Sequence, residues 1–243
     1  MNLEQFDLDL PYIPNEYNIS SIMNEKNCLY DEATQMDYEA NWKEKRRKFS
    51  LETRNISAMF ERLINEMKTK DCWKILIECV DCVKEKRVLN FSGVYTIQVK
   101  FSYDNFSTSD DYGKKQKALE LILEGTKIIA KSEGWNFQPF ETAFSKICEA
   151  NYINEWVWKK TVKSIDKKNS AEVLCQHGVN SIEIYIVIRD KFGTETDRKK
   201  VISELPHEFA YAKHLGELKW ISNNEIALVN KKGDNSWKVM MEN

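Results

Sequence analysis

The chain has 243 residues, 42% hydrophobic and 30% charged, with a formal net charge of -2. That is enough apolar material for a core, which excludes a largely disordered chain. The balance also lacks the basic excess of general nucleic-acid binders and binders of anionic membranes.

Residues 1–36 read as an acidic N-terminal arm. Glu4, Asp7, Asp9, Glu16, Glu25, Asp31 and Glu32 stand against Lys26 alone, with Phe6, Leu8, Leu10, Tyr12 and Ile13 as apolar anchors. Such an arm packs on its own body or reaches a partner. The acidic start lacks the basic and apolar regions of a signal peptide, and no apolar run reaches the roughly 18 residues of a membrane span, so a cytoplasmic protein is expected.

From about Asp37 to Lys70 the pattern is helical. Met59, Phe60, Leu63, Ile64 and Met67 form its apolar stripe, and Ser50 is a candidate break or cap. Lys43, Lys45, Arg46, Arg47 and Lys48 fit a solvated helix face with acidic neighbours. Trp73 to Val83, Arg87 to Phe91 and Val94 to Phe101 read as three strands, the last alternating cleanly. Residues 102–113 look like a polar loop. Helices follow over about Lys114 to Lys131 and Pro139 to Asn151, with Gly134 as a stop between them.

The last third is β-rich. Glu155 to Ile165 and Ala171 to Gln176 are strand candidates. Ser181 to Asp190, S-I-E-I-Y-I-V-I-R-D, is the clearest one, with Ile182, Ile184, Ile186 and Ile188 on one face. It is expected at the centre of an antiparallel sheet. A short helix over about Glu208 to Leu215 precedes a closing meander of Leu218 to Ile221, Glu225 to Asn230 and Trp237 to Met241.

The expected fold is α+β: an antiparallel or mixed β-sheet with helices packed on one side and an N-terminal helical extension. Residues 37–151 form a region of one helix, three strands and two helices. Residues 152–243 are expected to complete one compact domain with it. Two subdomains meeting near residue 152 are the alternative, and pairing of Val94–Phe101 with a later strand would distinguish them.

Asp81 and the Gln98-Val99-Lys100 triplet offer an enzymatic option. In the order helix, strand, strand, strand, helix, residues 55–132 resemble nucleases of the PD-(D/E)XK class, with Glu61 and Glu66 on the preceding helix. That resemblance implies Mg²⁺ held at Asp81, with Lys100 orienting the attacking water. Gln98 stands where the class more often has Glu, which removes a charge. The alternative is that Gln98 and Lys100 line the solvent face of a half-buried strand.

Other chemistry is thinly represented. Cys79-x-x-Cys82 sits in a strand pattern without a second ligand pair, so the six cysteines read as reduced structural residues and not as a zinc or redox site. His207 and His214 are seven apart, which would place them on one helix face, but no HExxH spacing is present. Cys175 and His177 share a strand face without a third orienting group. Glycine-rich nucleotide loops are missing. No metal or cofactor is expected, apart from Mg²⁺ under the nuclease alternative.

The favoured expectation is a soluble intracellular protein-binding module. Its concrete form is a bacterial toxin-neutralising, immunity-type inhibitor that acts by stoichiometric complex formation. An acidic surface would complement a basic toxin. The expected contact residues are Glu183, Tyr185 and Arg189 on the second face of the isoleucine strand, with Trp220 and Trp237 extending it. A protein partner is expected, without membrane, and without nucleic acid outside the nuclease alternative. An accessory subunit of a larger assembly is the third option.

Overall fold

The computed structural model describes residues 1–64 and 67–241; Glu66 lies outside them. The fold is α+β, with one mixed and two antiparallel sheets. The chain divides into two compact units, Met1–Tyr152 and Ile153–Asn243. Val94–Lys100 pairs only within the first unit among the described residues.

The first unit opens with β1 (Gln5–Asp9). Two helices follow, α1 (Glu16–Lys26) and α2 (Tyr30–Asp37). A π-helical turn over Tyr38–Trp42 joins α2 to the long α3 (Lys43–Ile64). Next come β2 (Lys74–Val80), β3 (Leu89–Phe91) and β4 (Val94–Lys100). The short α4 (Tyr103–Ser107), α5 (Asp111–Glu133) and α6 (Gln138–Glu149) complete it. The strand order is β1-β2-β4-β3, with β1, β2 and β4 parallel and β3 antiparallel at an edge.

Alternation makes one face of this sheet apolar. Phe6, Leu8, Ile75, Ile77, Cys79, Tyr95, Ile97 and Val99 enter one core with residues of α3, α5 and α6, including Phe60, Ile122 and Phe140. Helices therefore cover one side of the sheet. Gly125 lets α5 approach β2 closely: a Cβ there would lie 2.5 Å from the Ile77 side chain. Asp110 caps α5 by accepting from the Gly113 N–H, and Gly134 ends it at φ +67°.

The acidic arm is more ordered than its composition suggests. Its first stretch is the edge strand β1, zipped parallel to β2. Arg46 Nε and Nη2 donate to the two Asp9 oxygens, each at 2.7 Å. Asp7 faces Lys74 and Arg54. The Phe6 N–H donates to Glu61. Arg46 of the basic run, together with Arg54 further along α3, thus holds the chain's own arm.

Two local expectations are corrected here. Ser50 does not break α3, because buried Phe49, Thr53 and Ile56 carry the apolar face through it. Residues 102–113 are not all loop: α4 and the first turn of α5 occupy most of them, held by buried Phe106 and Lys114.

In the second unit, β5 (Glu155–Lys163), β6 (Asn169–His177), β7 (Ile182–Asp190) and β8 (Glu195–Glu204) form an antiparallel meander. After α7 (Glu208–Tyr211), β9 (Glu217–Trp220), β10 (Glu225–Val229) and β11 (Ser236–Met240) form a second one. Ile182, Ile184, Ile186 and Ile188 share a core with Ile226, Leu228 and Val239, so the two sheets bury a common apolar layer. The isoleucine strand is internal, between β6 and β8. Sequence reasoning missed β8, whose charged residues lie on an exposed edge strand. α7 ends at Tyr211, so His207 caps it and His214 lies beyond it; the two do not share a helix face.

Candidate functional site

Asp81 and Lys100 follow from the parallel pairing of β2 and β4. Val80 pairs with Lys100, and the Phe101 N–H donates to the Val80 carbonyl at 2.8 Å. Both residues therefore stand at the carboxyl ends of parallel strands, where open α/β sheets place their ligand crevices. They line one cleft of about 440 Å³ with Ser102, Asn105, Gln116 and Lys117. Phe101 and Phe106 are almost fully buried and form its apolar wall, their ring centroids 5.6 Å apart.

Charge is distributed unevenly in this cleft. Lys117 donates to Glu120 at 3.2 Å. Asp81 and Lys100 have no ion pair or side-chain hydrogen bond among the described residues. The Ser102 hydroxyl and the Asn105 side-chain amide are likewise uncommitted among them.

Gln98 does not join this constellation. It donates to Glu78 at 3.0 Å, and its carbonyl accepts from the Lys84 and Glu85 N–H groups. It clamps the loop between β2 and β3 onto the sheet. Glu61 is also engaged, by Arg54 at 2.7 and 2.8 Å. Among the described residues no group of three His, Cys, Asp or Glu side chains is arranged to hold a metal ion. Of the residues named for the nuclease alternative, Asp81 and Lys100 line the cleft, whereas Gln98 does not.

Glu183, Tyr185 and Arg189 lie on the face of β7 opposite its core isoleucines, as alternation requires. They are tied into a network. Lys200 donates to Glu183 at 2.6 Å, and Arg189 reaches Glu172 with two N–H groups at 2.8 and 3.0 Å. The Lys200 hydrogen bond leads the interactions holding the Glu183 carboxyl below its ordinary range. Val187, between Tyr185 and Arg189 in the same row, is fully buried. Trp220 and Trp237 instead pack against the core of the second unit. The Trp220 indole donates to the Val162 carbonyl at 3.1 Å, and Trp237 meets His214 edge-on.

The turns at one end of the second unit display what sequence reasoning passed over. The β5–β6 turn carries Ile165, the β7–β8 turn Phe192, and the β9–β10 turn Ile221. Register places the first two together, since Asn169 pairs with Asp190. The Asp166 N–H donates to Asn223 at 3.0 Å, which brings in the third. Ile165 is 67% exposed, Phe192 80% and Ile221 44%.

Each turn is held by its own bonds. Asp190 accepts from the Phe192 and Thr194 N–H groups at 2.8 and 2.9 Å. Asp166 accepts from the Lys168 N–H and the Ser164 hydroxyl, which keep its carboxyl below the usual range. The Lys191 ammonium lies 4.9 Å from the Phe192 ring centroid. Lys163, Lys167 and Lys168 are exposed beside them. The sequence pattern puts Ile165 and Ile221 at the ends of strands, so their place in turns shows only in the structure.

His177 and Cys175 are buried core residues of β6. His177 Nε2 donates to the Pro206 carbonyl at 3.1 Å, and its ring meets Trp156 and Tyr211. Among the described residues, no helix is long and apolar enough to cross a membrane. Comparison with protein-family models, with curated proteins and with solved structures finds no match.

Proposed function

We propose that the protein is a binding module that acts by forming a stoichiometric complex with another protein, in the manner of an intracellular inhibitor. One observation carries this: the three adjoining turns that present Ile165, Phe192 and Ile221 from bonded frames. Apolar anchors in rigid turns lose little conformational entropy on docking, and aromatic ones dominate interface energetics.

The charge of this end points to the partner's chemistry. Asp166 and Asp190 are turned into their own turns. Lys163, Lys167, Lys168 and Lys191 are exposed in or beside the first two turns, Lys168 at 3.8 Å from Asp166. An acidic partner surface with an apolar recess is the complement. The acidic arm is a weaker candidate for docking, because Asp7 and Asp9 are already paired within the chain.

The test is cross-linking in the native lysate, with native mass spectrometry of the purified complex. The wild type is expected to give one partner of low isoelectric point at fixed stoichiometry. Ile165→Ala with Phe192→Ala should abolish that complex without lowering Tm. A complex untouched by the double substitution would move recognition elsewhere. Binding to phosphatidylserine vesicles, lost in the double variant, would replace the protein partner by a lipid surface.

A further inference from the structure

We propose that the cleft at the ends of β2 and β4 binds a small zwitterion with an apolar side chain, of the free amino-acid type. This site lies in the first unit and is independent of the docking end described above.

Its location is the starting point. Three parallel strands, β1, β2 and β4, run side by side, and the cleft opens at the carboxyl ends of the latter two. Its volume of about 440 Å³ is in the range of small-ligand pockets. Its apolar wall is preformed: Phe101 and Phe106 pack on each other and on Phe49, with centroids 5.1 to 5.6 Å apart.

Charge selects the ligand class. Lys117 and Glu120 neutralise each other. That leaves the Asp81 carboxylate and the Lys100 ammonium, each without a partner among the described residues. They are exposed at the ends of adjoining strands, Asp81 just after β2 and Lys100 at the end of β4, yet among the described residues no ion pair joins them within 4.0 Å. A simple anion would satisfy Lys100 and be repelled by Asp81; a simple cation would meet the reverse. A molecule carrying an ammonium and a carboxylate on one carbon answers both. Ser102 and Asn105 offer further hydrogen bonds, and the side chain lies over the apolar part of the lining, which is backed by the core-packed Phe101 and Phe106.

Titration calorimetry on the full chain with three probes tests this: phenylalanine, phenethylamine and 3-phenylpropionate. They share the ring and differ in charge. Phenylalanine is expected to bind, and each single-charge analogue to bind at least about tenfold more weakly, the loss of one charge-assisted bond. Asp81→Asn should weaken phenylalanine and strengthen 3-phenylpropionate, whose carboxylate is then no longer repelled. Lys100→Met should weaken both. Unchanged Tm in the two variants keeps folding out of the result. The proposal fails if phenylalanine shows no saturable binding with Kd at or below about 1 mM. It also fails if 3-phenylpropionate binds as tightly as phenylalanine, which would make this an anion site.

Discussion

Lys114 on α5 donates to Glu52 on α3 at 2.8 Å, and both side chains are buried. Lys48 approaches the same carboxylate oxygen at 3.8 Å, while the second oxygen has no donor among the described residues. The pair fixes the first turn of α5 against α3, next to the Phe106 ring that walls the cleft.

Removing one partner should therefore be costly. Lys114→Met leaves the buried carboxylate with only the more distant, exposed Lys48 against it and is expected to cost up to about 3–5 kcal/mol. The double change Glu52→Leu with Lys114→Met should cost much less, because neither charge then remains to be desolvated. Urea unfolding of the two single variants and the double variant measures this coupling. Additive losses would show that the two charges act separately.

Asp37 is a second buried polar centre. Tyr12 donates to it at 2.6 Å, Asn41 at 2.8 Å and Asn18 at 3.1 Å. Burial pushes its carboxyl up, but the three hydrogen bonds outweigh burial and hold it below the ordinary value. A lowered folded pKa means that this contribution is complete above the unfolded value near 3.9 and is lost as pH falls through the folded one. Asp37→Asn should destabilise the protein at neutral pH by about 1–3 kcal/mol. It should also flatten the acid limb of the stability profile below about pH 4. Denaturant midpoints between neutral and acidic pH report both effects, and an unchanged acid limb would contradict them.

Much of the fold was legible because burial leaves a period in the sequence. The isoleucines of β7 and the alternation of Tyr95, Ile97 and Val99 in β4 record a half-buried strand directly. β1 carried the same signal in Phe6 and Leu8, but its acids pointed to an arm; their partners Arg46, Arg54 and Lys74 are 37 or more residues away. β8 has almost no apolar period, since an edge strand is specified by pairing and protected by charge. Asp81 and Lys100 could be found as charges at strand ends. The engagement of Gln98 could not, because two of its partners are backbone N–H groups of a loop. The turn tips were equally hidden, because only the strand register brings Ile165 and Phe192 together.

The cysteines give a prediction about reactivity. None forms a disulfide. Cys82 is exposed just after β2, whereas Cys72, Cys79 and Cys175 are buried. Burial pushes the Cys72 thiol up to about 11 and that of Cys79 up as well, which suppresses the reactive thiolate. Limited alkylation of the native protein should label Cys82 first and these three only on unfolding. Peptide mass mapping reads the order. Early labelling of Cys79 would mean that the C-x-x-C pair opens together, contrary to its division between core and surface.

Gly216 separates a steric requirement from a conformational one. A Cβ at this position would lie 2.4 Å from the Asn230 carbonyl carbon and oxygen and 2.6 Å from the Val229 oxygen. These are backbone atoms of the β10 end, so no side chain can swing aside. The Gly216 N–H also donates to the Val229 carbonyl at 3.1 Å, and its own carbonyl accepts from Lys159. Gly216→Ala must displace the chain entering β9 from β10 and should cost about 1–3 kcal/mol or more. Gly134, at φ +67° with open space around it, is the control. Gly134→Ala carries only the left-handed backbone penalty, about 1 kcal/mol. Equal losses for the two in urea unfolding would show that the close approach at Gly216 relaxes without cost.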